Sequence, residues 1–353
     1  MSPFKRKSAA LFQAVVFMFI MGCAGAPPAP PDEGVHFWPM PPDEPKIAYI
    51  SSSFGESNYK KLSFMQELLG DEELVVNNFT KPYGVSVYND KMYVTDTVAR
   101  LVFCVDLKEK KITFVGGEYS VPTGVAVSSD GIVFVADAKQ QKVLGFDASN
   151  KLRIAIGKKG ELGQPGGVIV NNRLGRLYIV DSHKHQVHAY SLKGEYLFSF
   201  GKRGVEDSEF NFPSNIALDR RNNNICVVDT QNFRVQCFDK DGKFVLKFGQ
   251  IGNAPGTFSR PKGIGIDSEG NIYVIDAAFD NFQIFNEKGE LLLAVGSAGI
   301  DPGRFSIPAG MYIDENDRIY AVDTGSKRVQ IFQYMSQAWK KANPEEYKKY
   351  LLK

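Results

Sequence analysis

The sequence predicts an all-β fold, a six-bladed β-propeller of four-stranded blades, with an N-terminal strand closing the last blade and short C-terminal helices. Three observations carry that expectation. An aspartate recurs at Asp96, Asp137, Asp181, Asp229, Asp276 and Asp323. A proline precedes each, at Pro82, Pro122, Pro165, Pro213, Pro261 and Pro308, by 14, 15, 16, 16, 15 and 15 residues. Each aspartate ends one apolar, β-branched run and opens a polar turn into a second, as in Ile225-Cys226-Val227-Val228-Asp229 and Val235-Gln236-Cys237-Phe238, the pattern of an antiparallel hairpin. The unit recurs every ~40 to 48 residues, a period that marks stacked repeat architectures.

Taken in order, residues 1–23 read as an export signal. Lys5, Arg6 and Lys7 are followed by a nearly apolar run from Ala9 to Met21, short for a membrane-spanning helix. Ile20-Met21-Gly22-Cys23 resembles the lipobox of bacterial lipoproteins, which makes Cys23 the expected lipidation site; an uncleaved anchor or an ordinary secretory signal are the alternatives. Ala24 after the cysteine resembles outer-membrane sorting. Residues 24–45 are rich in proline and are expected to form an extended tether between lipid and folded domain. Within it, Phe37 and Trp38 either dock on the domain or are exposed.

Residues 46–334 hold the blades. The innermost strands follow the prolines, as in Gly84-Val85-Ser86-Val87 and Gly310-Met311-Tyr312-Ile313. Glycine two places after proline in five of the six indicates crowding where inner strands converge. Fourth strands such as Phe244-Val245-Leu246-Lys247-Phe248 end in glycine, but only five follow their own hairpins. The missing one is Ile47-Ala48-Tyr49-Ile50-Ser51-Ser52-Ser53, which is expected to close the last blade and remove an exposed edge. A short helix is expected at Leu62–Leu69. Residues 335–353 read as two short helices, with Asn343-Pro344-Glu345-Glu346 a helix start and Trp339, Tyr347 and Tyr350 pinning the tail to the propeller.

Phe258-Ser259-Arg260-Pro261-Lys262-Gly263-Ile264-Gly265-Ile266-Asp267 with Ile272-Tyr273-Val274-Ile275-Asp276 resembles an NHL repeat, as does the turn Thr230-Gln231-Asn232-Phe233-Arg234. The resemblance covers about residues 46–334 and is strongest in the last three units; Val98-Ala99-Arg100 and Lys139-Gln140-Gln141 depart from it. It implies a propeller. Some similar propellers are enzymes. Amidating lyases place zinc on histidines from separate blades, whereas here only the third blade offers histidine. Gluconolactonase-like propellers hold calcium with carboxylates around the axis. Here the residues after the blade prolines are Tyr83, Thr123, Gly166, Ser214, Lys262 and Ala309, with no carboxylate among them.

The repeated aspartates read as turn caps, since an Asx side chain accepts bonds from amides two residues on. Three of the four histidines fall in one hairpin, so His183 and His185 are candidate transition-metal ligands; His188 matches Gln236, Gln283 and Gln330 and reads as an exposed strand position. No other cofactor is expected. Cys226 and Cys237 mirror one another across a hairpin, and a disulfide or two buried thiols both fit.

A net charge of +2 implies no polyanion, and an exported protein does not ordinarily meet nucleic acid. Arg100, Lys142, Lys184, Arg234, Lys262, Arg304 and Arg328 fall in hairpin turns and connectors expected to share one face of the disc, where they would steer an acidic partner. The function expected is therefore non-catalytic: a monomeric propeller, lipid-anchored in the bacterial envelope, presenting a loop face to an envelope protein or anionic ligand. The alternative is a hydrolase or lyase at the axial entrance, using Tyr83, Asn215 and Lys262.

Overall fold

Inner strands at Pro82–Tyr88, Pro122–Val127, Pro165–Asn171, Pro213–Leu218, Pro261–Ile266 and Pro308–Ile313 each begin a sheet of their own. The computed structural model describes residues 36–40, 42–59 and 77–351. The expected leader with Cys23, most of the tether and the helix at Leu62–Leu69 lie outside the described residues. Five sheets have four antiparallel strands, and the sixth has five. The chain is a six-bladed β-propeller.

The proline–aspartate spacing has a geometric cause. Each proline sits directly opposite its aspartate, Pro82 against Asp96 through Pro308 against Asp323, and the ladder shifts register in the residues after it. Proline has no amide to donate, so it suits a strand's first residue beside a bulge. The shift brings each inner strand against the next. A β-carbon on Gly84 would run into the Thr123 carbonyl, and one on Gly124 into that of Gly166. One on Gly263 would strike the Ala309 carbonyl, and one on Gly310 that of Tyr83, so the ring is continuous across the last-to-first junction. Hydroxyls stitch the same seam: Thr95 Oγ1 donates to the Thr123 carbonyl (2.8 Å) and Thr324 Oγ1 to the Pro82 carbonyl (2.7 Å).

Closure follows the expected route. Ile47–Ser53 pairs with Arg328–Tyr334, Ile47 against Tyr334 and Ser53 against Val329. Ile47 is fully buried with Phe282, Phe305 and Phe332 between blades five and six. Phe37–Trp38 adds a fifth strand outside it, so folded structure begins earlier than residue 46. The tail helices, Gln337–Ala342 and Pro344–Leu351, cover this same edge. Trp339, Tyr347 and Tyr350 pack on Phe37, Ala48 and Met335, and Glu44 pairs with Lys340 (2.7 Å). The tail thus clasps the N-terminal segment.

Hairpin turns, prolines and inter-blade connectors share one side of the disc, the proline face. The turns joining inner to second and third to outer strands form the distal face.

Candidate functional site: the proline face and the axial channel

The repeated aspartates are buried and act as staples. Asp96 accepts the amides of Thr80 and Lys81 in the connector ahead of its blade and those of Val98 and Ala99 in its own turn. Asp137 and Asp276 repeat both halves of that pattern. They join loops rather than face solvent.

That stapling corrects the expected charge face. Arg234 and Arg328 are 8% and 4% exposed. Arg234 Nε donates to Asp229 Oδ2 (2.9 Å), and its other nitrogens donate to the carbonyls of Val205, Glu206 and Glu209. Arg328 does the same with Asp323 and the carbonyls of Asp301 and Arg304. Each arginine is the residue directly opposite its aspartate in the hairpin, so a short turn points the guanidinium inward along the connector. Arg100 Nε bonds the Tyr119 carbonyl, and Lys184 Nζ bonds those of Gly160 and Glu161. These four tie loops. Lys142 and Arg304 remain exposed and Lys262 half-buried.

His185 and His188 are held within the same loop framework. His188 is buried, not exposed, with Nε2 3.6 Å from Asp181. The glutamines at its position are buried too, and each donates to a connector carbonyl, of Glu209, Thr257 or Arg304. Burial opposes ionisation of Asp181, but His188 and the amides of Gly163, Gln164 and Lys184 outweigh it and hold the carboxyl below its usual range. His185 Nδ1 accepts the Phe212 amide (3.1 Å), and desolvation, then Arg203, lowers its basicity. Among the described residues no three His, Cys, Asp or Glu side chains gather as a metal site. Cys226 and Cys237 form a disulfide, and Cys104 is a buried free thiol.

What the charge pattern did not reveal is an apolar set on the proline face. Val98, Val205, Phe212, Ile251, Ile300 and Ile307 are all exposed, Ile251 by 68% and Ile300 by 77%. Among the described residues the distal turns expose no large hydrophobic side chain. Phe212 and Ile307 have positive φ (49° and 51°), a strained state for an aromatic or β-branched residue, and the amide of each donates a hydrogen bond, to His185 Nδ1 and Asp280 Oδ1 respectively. The signal was present: both precede a blade proline, where Lys81, Val121, Gln164 and Arg260 stand in the other blades.

At the axis, Lys262 Nζ lies 5.5 Å from the centroid of the Tyr83 ring. Desolvation, reinforced by Arg260 and Lys81, lowers the Lys262 ammonium, and desolvation raises the Tyr83 hydroxyl. Beyond this entrance runs a cavity of about 530 Å³, lined by residues from Tyr83 and Ser214 at one end to Arg220, Asp314 and Asn316 at the other. Asn215, like Tyr83, lines it.

The fold and these features define a class: closed propellers whose axis is a channel between two chemically unlike faces. Residues 158–235, 226–282 and 268–341 match the family described as 6-bladed beta-propeller, and since these spans together exceed half of the 353 residues, the chain belongs to that family. Over 115 residues it is 33% identical to the "Probable peptidyl-alpha-hydroxyglycine alpha-amidating lyase" of Caenorhabditis elegans, 29% of this chain and 33% of that one. Over 90 residues it is 28% identical to "Protein brain tumor" of Drosophila melanogaster, 24% of this chain and 9% of that one. The chain spans a third or less of those relatives. Among solved structures, a gluconolactonase from Xanthomonas campestris superposes with TM-score 0.58 at 15% identity, covering 72% of this chain and 86% of that one. Virginiamycin B lyase from Staphylococcus aureus gives 0.55 at 16%, covering 73% and 96%. An auxiliary nutrient binding protein from Bacteroides thetaiotaomicron gives 0.59 at 13%, covering 73% and 70%. At such identities the likeness is one of fold.

Proposed function

We propose that this chain is a non-catalytic binding propeller of the bacterial envelope, held to the membrane through an acylated Cys23, that captures an acidic envelope protein on its proline face. The observation carrying this reading is the exposed apolar set Val98, Val205, Phe212, Ile251, Ile300 and Ile307. It is interleaved with cations that carry no ion pair among the described residues, such as Lys139, Lys142, Arg203, Arg260 and Lys327. Exposed apolar side chains on loops of a rigid scaffold mark interaction sites, and surrounding cations select an acidic partner. The partner need not touch Arg234 or Arg328. The test is crosslinking in envelope fractions with the wild type, an Ile251→Ser/Ile300→Ser variant and a Lys142→Glu/Arg203→Glu variant. Loss of the crosslinked species in both, at unchanged circular dichroism, supports the reading; undiminished crosslinking in both rejects it.

One observation favours a second reading, a lyase or lactonase at the axial entrance. Lys262 is desolvated against Tyr83 beside a channel, and the amidating lyase of C. elegans is a relative over 115 residues. Incubation with a peptidyl-α-hydroxyglycine and with a lactone, wild type against Lys262→Met, separates the two readings. Turnover abolished by the substitution establishes the enzyme.

A further inference from the structure

Two residues of the proline face are held in a conformation that their side chains resist. Phe212 and Ile307 combine positive φ with a place directly before proline, where the backbone is biased toward extended states. The amide of each donates to one acceptor in the hairpin turn of the preceding blade, Phe212 to His185 Nδ1 (3.1 Å) and Ile307 to Asp280 Oδ1 (2.7 Å). His185 and Asp280 hold the same position, directly before the third strand and themselves at positive φ (55° and 50°). Blades three and five thus fix the next connector but one in the same way, with different chemistry at the acceptor.

A proton affects the two acceptors differently. A carboxyl group keeps an acceptor oxygen when protonated, whereas an imidazolium has two donors and no acceptor. The bond from Phe212 therefore requires the neutral ring with Nδ1 bare. His185 is buried and meets the half-exposed Phe212 ring edge-on, centroids 4.8 Å apart, so acceptor and aromatic tip form one unit. The charged groups facing the imidazole are Arg203 in the connector, His183 in the same turn and Asp229 in blade four, the last paired with Arg234. Lys184 turns away to the carbonyls of Gly160 and Glu161. Desolvation, then Arg203, favours the neutral ring, so Nδ1 stays an acceptor at neutral pH and is protonated only below the ordinary histidine value of about 6.5. The folded-state value is lowered, so the stabilisation is full above the ordinary value and lost as pH falls through the folded one.

We propose that His185 is an acid-operated latch: protonation of its ring expels the Phe212 amide and lets Phe212 relax to an extended backbone, moving one apolar tip of the proline face. The latch stands on the fold alone; its consequence, weaker capture in acid, rests on the capture reading above. The test is a nitrogen-15 NMR titration of purified full-length protein from neutral pH into acid, following the Phe212 and Ile307 amides together with the His185 ring. One variant is His185→Gln, an acceptor that does not titrate and a residue type already present at this turn position in blade two, where Gln141 has φ 55°. His188→Gln controls for the neighbouring histidine. The Phe212 amide should shift with the His185 ring, below about 6.5, in wild type and His188→Gln, and stay still in His185→Gln. The Ile307 amide should not follow that transition. A Phe212 amide unmoved as the ring titrates, one that moves equally in His185→Gln, or a ring still neutral when the protein unfolds in acid overturns the proposal. Crosslinking in envelope fractions should fall about two- to tenfold across the transition in wild type but not in His185→Gln, the range for one neutral hydrogen bond. Movement of Phe212 with crosslinking unchanged upholds the latch and counts against the capture reading, so the two ideas fail separately.

Discussion

Replacing Arg234 by methionine tests the central structural claim, that the turn arginines are buried staples. The substitution keeps most of the apolar stem and removes a guanidinium bonded to Asp229 and three connector carbonyls. Removing one partner of a buried ion pair costs about 3–5 kcal/mol, because the other charge is left unpaired. Here the cost should fall toward ~3 kcal/mol. Asp229 keeps the Asn211 amide (2.6 Å) and Asn232 Nδ2 (2.8 Å), and burial already pushes its carboxyl up. With an m-value of about 3 kcal/mol/M, the urea midpoint drops by ~1 M. The sign of the pH dependence follows. Without Arg234 the folded-state carboxyl rises further, so its contribution to stability is full below the unfolded value and is lost as pH rises through the folded one. The variant's deficit is therefore smallest in acid and grows toward neutrality. Arg304→Met, at an exposed arginine of the connector into blade six, is the control and should cost under ~1 kcal/mol. Equal midpoints for the two variants at neutral pH would refute the staple.

Three further outcomes are expected. Ile47→Ala should destabilise by about 2–4 kcal/mol in urea unfolding, since Ile47 is fully buried in the closing strand against Phe332; a loss below ~1 kcal/mol would mean the seam does not carry the ring. Thiol titration of the denatured, unreduced protein should leave Cys226 and Cys237 silent and reduction should add two reactive thiols, the bond being worth about 2–3 kcal/mol for so short a loop. Asp267 should titrate near 6 in a carboxyl carbon-13 experiment, because burial outweighs its bonds from Asn271 and Tyr273. Its folded-state value is raised, so its stabilisation is full below about 4 and lost between about 4 and 6, a slope that Asp267→Asn should flatten.

Blade number, inner strands and the closing strand were legible because each follows from a local rule repeated six times: proline without an amide, glycine without a β-carbon, aspartate at a turn. The direction of a charged side chain beside a turn is not such a rule. Arg234 and Lys142 occupy the same place opposite their aspartates, yet one is buried and the other exposed. The difference lies in the preceding connector. The one into blade four, from Gly201 to Phe212, is long enough to fold back and offer three carbonyls, whereas the one into blade two, from Val115 to Val121, is short. Register did hold the clue, since pairing Val228 with Val235 sets Asp229 against Arg234. Phe37–Trp38 was hidden for another reason. Proline content described its neighbours correctly, but a two-residue strand depends on an edge supplied by Ile47–Ser53.

If the proline face captures a partner as proposed, the staples separate that recognition from folding. Asp229 and Arg234 grip the connector at Val205, Glu206, Glu209 and Asn211 through backbone atoms, and Asp323 and Arg328 grip the next-but-one connector through Asp301, Arg304 and Ser306 in the same way. A backbone grip is indifferent to the side chain at the tip. Val205, Ile251 and Ile300 can therefore be replaced by serine at little cost to folding, since each is already exposed and forfeits little burial. On the proposed reading, stability and recognition use different atoms of the same loops. On that reading a change in partner preference would require new tips, with the aspartates, the arginines and the ring beneath them left in place.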